Sequence, residues 1–415
     1  MFLIALAGFT LVRMAEGLYS YANSSIADEF GVTQKALGVV ISLSAVIGIF
    51  VSIICGTLAD VIGRNRMFGV TILGSSIFIA LQSLAPSLWL ITILRGISHG
   101  FWSALSPIKT TLVTEIAPAR YRGILTGFLQ AGSPLGTAIA GFVAVLVIDQ
   151  FGWRWGFVSA LLIIPPGLVL WWMLGESGRL SAKTAPRVTG NNAVPSSKTA
   201  KIWQQITEFY GGRYRRNAII CTGAAFLVGG SLASSVFFWK PYFEATKGLT
   251  PVQASTVIAI GYWISVCGFL LSAVVGEFLL SRRDTFITGM CVGAVALLSL
   301  VWWASGFYPI LICYSLTTFF TLGVLSVFGT LINESFPAHI RATASTMAAS
   351  SGLDAGFIVF PIITTTVAVD WWGWNSMFSV FVAMPLLLAA FLFSRLPRVK
   401  SGLELDEVVN SMHGR

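Results

Sequence analysis

Charge is what this chain has least of. Only 10% of its 415 residues are Asp, Glu, Lys or Arg, where water-soluble domains average about a quarter. A chain this poor in charge, and 55% hydrophobic, does not cover a water-facing surface; it belongs in a bilayer. Histidine is nearly as scarce, with three in all. The five cysteines (Cys55, Cys221, Cys267, Cys291, Cys313) all fall in apolar stretches without metal-ligand spacing. They read as small core hydrophobes, and no metal or other cofactor is expected. No G-K-[ST] phosphate loop occurs, which argues against ATP drive in this chain. There is also no metal-spaced His/Cys set and no large soluble domain, so an enzyme or a receptor is disfavoured.

What the chain has is long apolar runs. A helix needs about 20 apolar residues to cross a bilayer. Twelve such runs are expected, at 2–24, 36–59, 68–86, 88–114, 123–148, 154–175, 217–240, 252–280, 285–305, 307–333, 342–368 and 374–396. The fold class is therefore an all-α membrane protein with twelve transmembrane helices. The first run is too long for a cleavable signal peptide and lacks a basic leader.

The net charge of +9 invites a nucleic-acid reading, but its distribution argues against one. Of the 26 Lys and Arg residues, 19 fall in alternate loops and the C-terminal tail. They include Arg64, Arg66, Arg120, Arg122, Arg282, Arg283, Arg341 and eight between 176 and 216. This asymmetry is a positive-inside signature. It predicts a multi-pass protein of the inner (cell) membrane with both termini cytoplasmic.

The chain also repeats itself. "TEIAPARYRG" matches "NESFPAHIRA": Glu115, Pro118, Ala119 and Arg122 against Glu334, Pro337, Ala338 and Arg341, all 219 residues apart. Asp149, Gly152, Trp153 and Phe157 match Asp370, Gly373, Trp374 and Phe378, 221 apart. Gly31 and Gly248 are 217 apart, and "GTLADVIGRNR" at Gly56 has a worn echo, "GEFLLSRR", 220 residues on at Gly276. Ordered anchors at nearly constant offset imply two similar halves. Six spans each place both halves the same way up, as parallel repeats. The expected organisation is a six-helix bundle over 1–175, a basic, Ser/Thr/Pro/Gly-rich cytoplasmic linker over 176–216, a second bundle over 217–397, and a tail over 398–415.

"GTLADVIGRNR" resembles the loop 2–3 signature of the major facilitator superfamily at Gly56, Leu58, Asp60, Gly63, Arg64 and Arg66. "EIAPARYRG" and "ESFPAHIRA" resemble its signatures after helices 4 and 10. The resemblance covers nearly the whole chain. "GWRWGFVSALLIIPPGLVLWWMLGESGRL" and "LPRVKSGLELDEV" look like the metabolite:proton symporters within it. The resemblance implies alternating access by two rocking bundles, with an inner gate at Gly56, Asp60, Gly63, Arg64, Arg66, Glu115, Arg122, Glu334 and Arg341. Gly56 is expected to let two helix ends approach closely. Two positions depart from the branch: Thr92 stands where relatives often carry Arg, with Arg95 beside Gly96 instead, and the helix 1 acidic motif reads Glu16-Gly-Leu-Tyr19.

The fourth run carries "LRGISHGFWSALSPIK". Arg95, His99, Trp102, Ser106 and Lys109 follow helical spacing down one face, while Gly96, Gly100 and Ala104 form a small-residue stripe beside it. A cation facing lipid near mid-membrane costs several kcal/mol, so a coherent polar face points to an aqueous cavity. In the first run Arg13, Glu16, Ser20 and Asn23 share a face, with Arg13 and Glu16 spaced to pair. Asp354 lies about 20 Å from its helix end, near the midplane. Lys109 near a helix end has the snorkelling alternative, and Lys240 the interfacial one.

The expected substrate-binding set is Arg13, Tyr19, Arg95, His99, Trp102, Gln130, Trp239 and Lys240, with Glu16 and Asp354 as proton-coupling acids. Arginine grips carboxylates bidentately, and buried acids respond to nearby cations. The function expected is a proton-coupled symporter of a small organic anion. Sodium is the alternative ion, and the expected partners are the small molecule, protons and lipid, with the chain a monomer. The alternative is a proton-driven exporter of amphiphilic, drug-like or siderophore-like compounds, suggested by "GSPLG" at Gly132–Gly136, a partial antiporter motif.

Overall fold

The computed structural model describes residues 2–116, 122–182, 207, 209–211, 214–336, 340, 344–396 and 398. Among these residues the regular structure is helical throughout, with no strand. The membrane-length helices are α1 (Phe2–Phe30), α2 (Gln34–Ile62), α3 (Arg64–Gln82) and α4 (Leu88–Ile116). They continue as α5 (Gly127–Phe151), α6 (Trp153–Met173), α7 (Arg215–Val236), α8 (Pro251–Leu279), α9 (Arg282–Trp302), α10 (Phe307–Glu334), α11 (Ser345–Thr366) and α12 (Trp371–Ser394). A short helix, Trp239–Ala245, follows α7. Ten of the twelve are long and apolar enough to cross a membrane. The others are α3, with the shorter apolar stretch Arg66–Gln82, and α4, which carries the polar face with Arg95, His99 and Lys109.

Outward-facing side chains identify the solvent. Phe50, Leu146, Leu162, Trp172, Phe278 and Val295 are each 60% or more exposed. A water-soluble protein does not present so much aliphatic and aromatic surface; a lipid belt requires it.

Helix ends follow local chemistry. Thr250 opens α8 with a capping box: its side chain accepts from the Gln253 backbone N–H, and the Gln253 side chain accepts from the Thr250 N–H. Ser281 caps α9 by accepting from the Asp284 N–H at 3.1 Å. α1 runs beyond its expected end at 24 to Phe30, and within it Asn23 is fully buried and donates to the Phe237 carbonyl at 2.8 Å.

The repeat is written in the backbone. Gly31 and Gly248 both take positive φ, 59° and 67°, at equivalent turns of the two halves, and Gly152 and Gly373 do so at 93° and 76°. Only glycine adopts such angles without strain. The face with these turns is called the mouth face below; the face with the α2–α3 turn at Gly63 is the basic face.

Small residues bring the helices together within each bundle. The stripe on α4 lies against α2: a Cβ on Gly96 would lie 2.6 Å from Ile47, and one on Gly100 would collide with Val51 and sit 2.8 Å from the Gly48 carbonyl. On α5, a Cβ on Gly136 would lie 2.6 Å from the Arg13 Cβ. Small residues also bring the bundles together, among them Gly141 of α5 against Ala259 of α8, and Gly38 of α2 against Pro361 and Thr365 of α11. Gly56 is a correction to expectation: no described residue lies within 4 Å of where its Cβ would be, so among the described residues it makes no close helix approach in this conformation. Gly100→Leu should therefore lower thermal stability in detergent, by the ~1–3 kcal/mol typical of overpacking. Gly56→Ala should leave it unchanged or slightly raised, since Ala is the better helix former by about 1 kcal/mol. Equal losses in both variants would contradict this packing.

Candidate functional site

The polar face of α4 turns into the protein and meets α1. Arg95 is 4% exposed. Its guanidinium carbon lies 3.6 Å from the ring centre of Tyr19 on α1 and 4.9 Å from that of Phe237, just past α7. The charge is thus held between two aromatic faces, one from each half of the chain. The Arg13 guanidinium lies 5.0 Å from the Trp102 ring centre, and the rings of His99 and Trp102 are 5.1 Å apart. The Glu16 carboxylate is buried, accepts from Ser75 at 3.4 Å, and feels both Arg95 and Arg13.

The spacing-based Arg13–Glu16 ion pair does not form. Arg13 reaches across to α5 instead, donating from Nη2 to Thr137 Oγ1 at 3.4 Å. Four donors in this cluster are buried without a hydrogen-bond partner among the described residues: Arg13 Nε, Arg95 Nε, the Tyr19 hydroxyl and Trp102 Nε1. Buried donors are normally satisfied. Four orphans around two guanidiniums and a single carboxylate describe a place prepared for an acceptor.

The other expected site residues lie elsewhere. Lys109, further down the α4 face, is fully buried rather than snorkelling; its Nζ donates to Gln130 at 2.6 Å and lies 2.8 Å from the Phe9 ring centre. The Ser106 side chain lies outside the described residues. Trp239 does not line an open vestibule. It is 4% exposed, stacked 4.2 Å from Phe378 and 5.5 Å from Phe243, with Tyr314 edge-on at 5.2 Å. With Ser231, Ser235, Tyr262, Tyr314, Thr317 and Thr321 it borders a cavity of about 30 Å³ inside the second bundle, room for one or two waters. Lys240 is not interfacial: its Nζ lies 2.6 Å from Asp149 Oδ1, and the two side chains are 0% and 1% exposed. Asp354 is half-buried and makes no hydrogen bond or ion pair to another described residue.

At the basic face, Gly63 at φ 92° turns α2 directly into α3, a conformation that suits glycine. Arg66 is exposed. Arg341 and the side chains of Asp60, Arg64, Glu115 and Arg122 lie outside the described residues. Glu334 pairs with Arg282, which also pairs with Glu277. The worn repeat "GEFLLSRR" thus ties the α8–α9 turn to the end of α10 within one bundle.

Sequence reasoning missed Phe237, Ser75 and Thr137, each an unremarkable residue type in an apolar run, and read Asp149 only as a repeat anchor; only folding brings each to its partner. No group of three or more His, Cys, Asp or Glu fit to hold a metal occurs among the described residues.

Two helical bundles enclosing a buried polar cluster at their junction form a membrane carrier. The chain belongs to the Major Facilitator Superfamily, which it matches over residues 5–281, and as such is a multi-pass membrane transporter of small molecules and not an enzyme. It is similar to the niacin transporter NiaP of Acinetobacter baylyi, 26% identical over 401 residues, covering 92% of this chain and 90% of that protein. It is also similar to the cis,cis-muconate transport protein of the same organism, 28% identical over 336 residues, covering 79% and 77%. Among solved structures, a D-xylose-proton symporter shares the fold with a TM-score of 0.70 at 18% identity, covering 96% of this chain and 97% of that one.

The Arg282 network generates a stability prediction. Glu334→Gln leaves Arg282 with Glu277 alone, so the loss should be roughly 1–3 kcal/mol, below the ~3–5 of a fully severed buried pair. Thermal unfolding in detergent measures it, and Glu277→Gln/Glu334→Gln together should lose more than either alone.

Proposed function

We propose that this carrier is a proton-coupled symporter of a small organic anion, and that Arg95 and Arg13 receive the substrate's carboxylate. The four orphan donors carry the reading. A carboxylate placed among them would accept from both guanidiniums, the strongest hydrogen-bonding geometry open to arginine. Tyr19, Trp102 and Phe237 offer flat faces to an unsaturated or aromatic body. The cargoes named for two relatives, niacin and cis,cis-muconate, are both unsaturated carboxylic acids, which supports the class. The basic face is taken as cytoplasmic, following the loop charges.

The coupling follows from charge. Two guanidiniums share one carboxylate, Glu16. An arriving anion draws them toward itself and weakens their hold on Glu16, which then takes a proton. Anion and proton thus enter together, and the bundles rock to present the site to the other face. Asp354, half-buried and without a hydrogen-bond or ion-pair partner among the described residues, is the acid on the second bundle available to the same cycle. The cluster at the Gly63 turn acts as the latch of the basic face. Lys109 on the α4 face, bonded to Gln130 of α5, lies on the path toward it.

Uptake into liposomes tests the reading, using labelled nicotinate and cis,cis-muconate with glucose as a neutral control. An inward pH gradient should drive uptake of at least one acid and not of glucose, and a sodium gradient should drive neither. Arg95→Lys should lower uptake about tenfold or more, because lysine lacks the bidentate fork. Glu16→Gln should keep acid–acid exchange and lose accumulation against the gradient. Undiminished proton-driven accumulation in Glu16→Gln would refute the coupling, and net extrusion under the same gradient would favour the exporter reading.

A further inference from the structure

The mouth face is held shut by a charge cluster that the central site does not use. Lys240, on the short helix after α7, is bonded to Asp149 at the end of α5, so the pair joins the two bundles. It sits beside the Asn23–Phe237 hydrogen bond, which also crosses between them. Asp149 uses one oxygen; its Oδ2 is buried without a partner among the described residues. One helical turn after Lys240 stands Glu244, whose Oε1 is likewise buried without a partner among the described residues. Lys240 and Glu244 are four residues apart on one helix, the spacing at which a lysine and a glutamate pair along a helix surface. With the mouth shut, Lys240 is turned to Asp149 instead.

We propose that Lys240 exchanges partners during the transport cycle, held by Asp149 across the bundle interface when the mouth is shut and by Glu244 on its own helix when it is open, and that Glu244 takes up a proton when the lysine leaves it.

The surroundings of Glu244 fit this exchange. On α1 it faces Ser24, which hydrogen-bonds it, and Asp28; on α5 it faces Asp149; on its own helix, Lys240. Burial pushes its carboxyl up from the ordinary value, Lys240 and Ser24 pull it back, and Asp149 and Asp28 push it up further. Lys247, the next cation along the chain, turns away to the carbonyls of Val301 and Ala304 at 2.9 and 2.8 Å. In the shut state three carboxylates share one ammonium, and a proton relieves the excess. In the open state Asp149 is hydrated, Lys240 returns to Glu244, and the proton leaves. The sign follows: shutting binds a proton, so acid favours the shut mouth and alkali the open one. The device is independent of which anion is carried.

Electron-spin distance measurements test it, on the whole chain in lipid nanodiscs with its five cysteines replaced. Labels go at Leu84 and Trp303, exposed positions at the mouth ends of the two bundles, 74% and 76% accessible. The background carries Glu16→Gln and Asp354→Asn, so the central acids cannot supply a pH response. Between pH 5 and 8 the shut-to-open ratio should rise as pH falls, by up to about tenfold per unit for one linked proton. Glu244→Gln should abolish the pH response and hold the mouth shut. Lys240→Met should shift the population open at every pH, and Lys240→Arg should restore the shut state. A flat pH response in the background, or an unchanged one in Glu244→Gln, overturns the proposal; so does a Lys240→Met mouth as shut as the parent's.

Discussion

The structure turns on how two arginines are kept inside a membrane bundle without a full counter-charge. A cation near the bilayer centre costs about 2.5–3.5 kcal/mol on insertion scales. The aromatic faces of Tyr19 and Phe237 around Arg95, and of Trp102 beside Arg13, return up to about 2 kcal/mol each when desolvated. That offsets most of the charge burial. It does nothing for the N–H groups, whose desolvation costs roughly 1–3 kcal/mol apiece while they lack acceptors. Aromatic faces tolerate a guanidinium without satisfying it, so the cluster stays receptive. A second buried carboxylate in salt-bridge range would have given a more stable protein and closed the site to an incoming anion.

Such a site needs rigid walls, and these come from residues with almost no side chain. Gly96 and Gly100 set α4 against α2, and Gly136 sets α5 against α1. With α4 pinned against α2 by its glycine stripe, Arg95 and Trp102 project toward α1, while His99 packs between Trp102 and Gly48 of α2. Backbone packing therefore fixes where the charges point. In lipid this is the available route, because the hydrophobic effect does not press helix against helix there.

This division explains what was legible beforehand. The α4 face, the glycine stripe and the repeated turn glycines depend on periodicity within one helix or on spacing between halves, and both survive in a linear string. Partner choice does not. Arg13 lies three residues from Glu16 yet bonds Thr137, 124 positions away. Lys240 looked interfacial because it follows an apolar run, but Asp149, 91 residues earlier, draws it fully inside. Trp239 had the composition of a binding aromatic, and Phe378 and Phe243 cover both its faces. Gly56 matches a family signature but meets no described residue in this conformation, because a motif match in a linear string does not carry the packing around it.

The two faces of the membrane are secured by different physics, and this bears on how the bundles move. On the mouth face the ion pair is buried at 0% and 1% exposure and spans both bundles, so separating them exposes two charges at once. Breaking such a pair into a dry space is costly, but breaking it into water costs far less because hydration replaces the lost partner. The mouth can therefore open only as water enters. On the basic face the described ion pairs of Arg282 with Glu277 and Glu334 stay within one bundle and remain partly hydrated, so they stiffen that bundle without resisting its rotation. Among the described ion pairs, the buried one that crosses between the bundles is therefore on the mouth face, while Arg154–Glu29 on that face and the Arg282 pairs on the other each stiffen a single bundle.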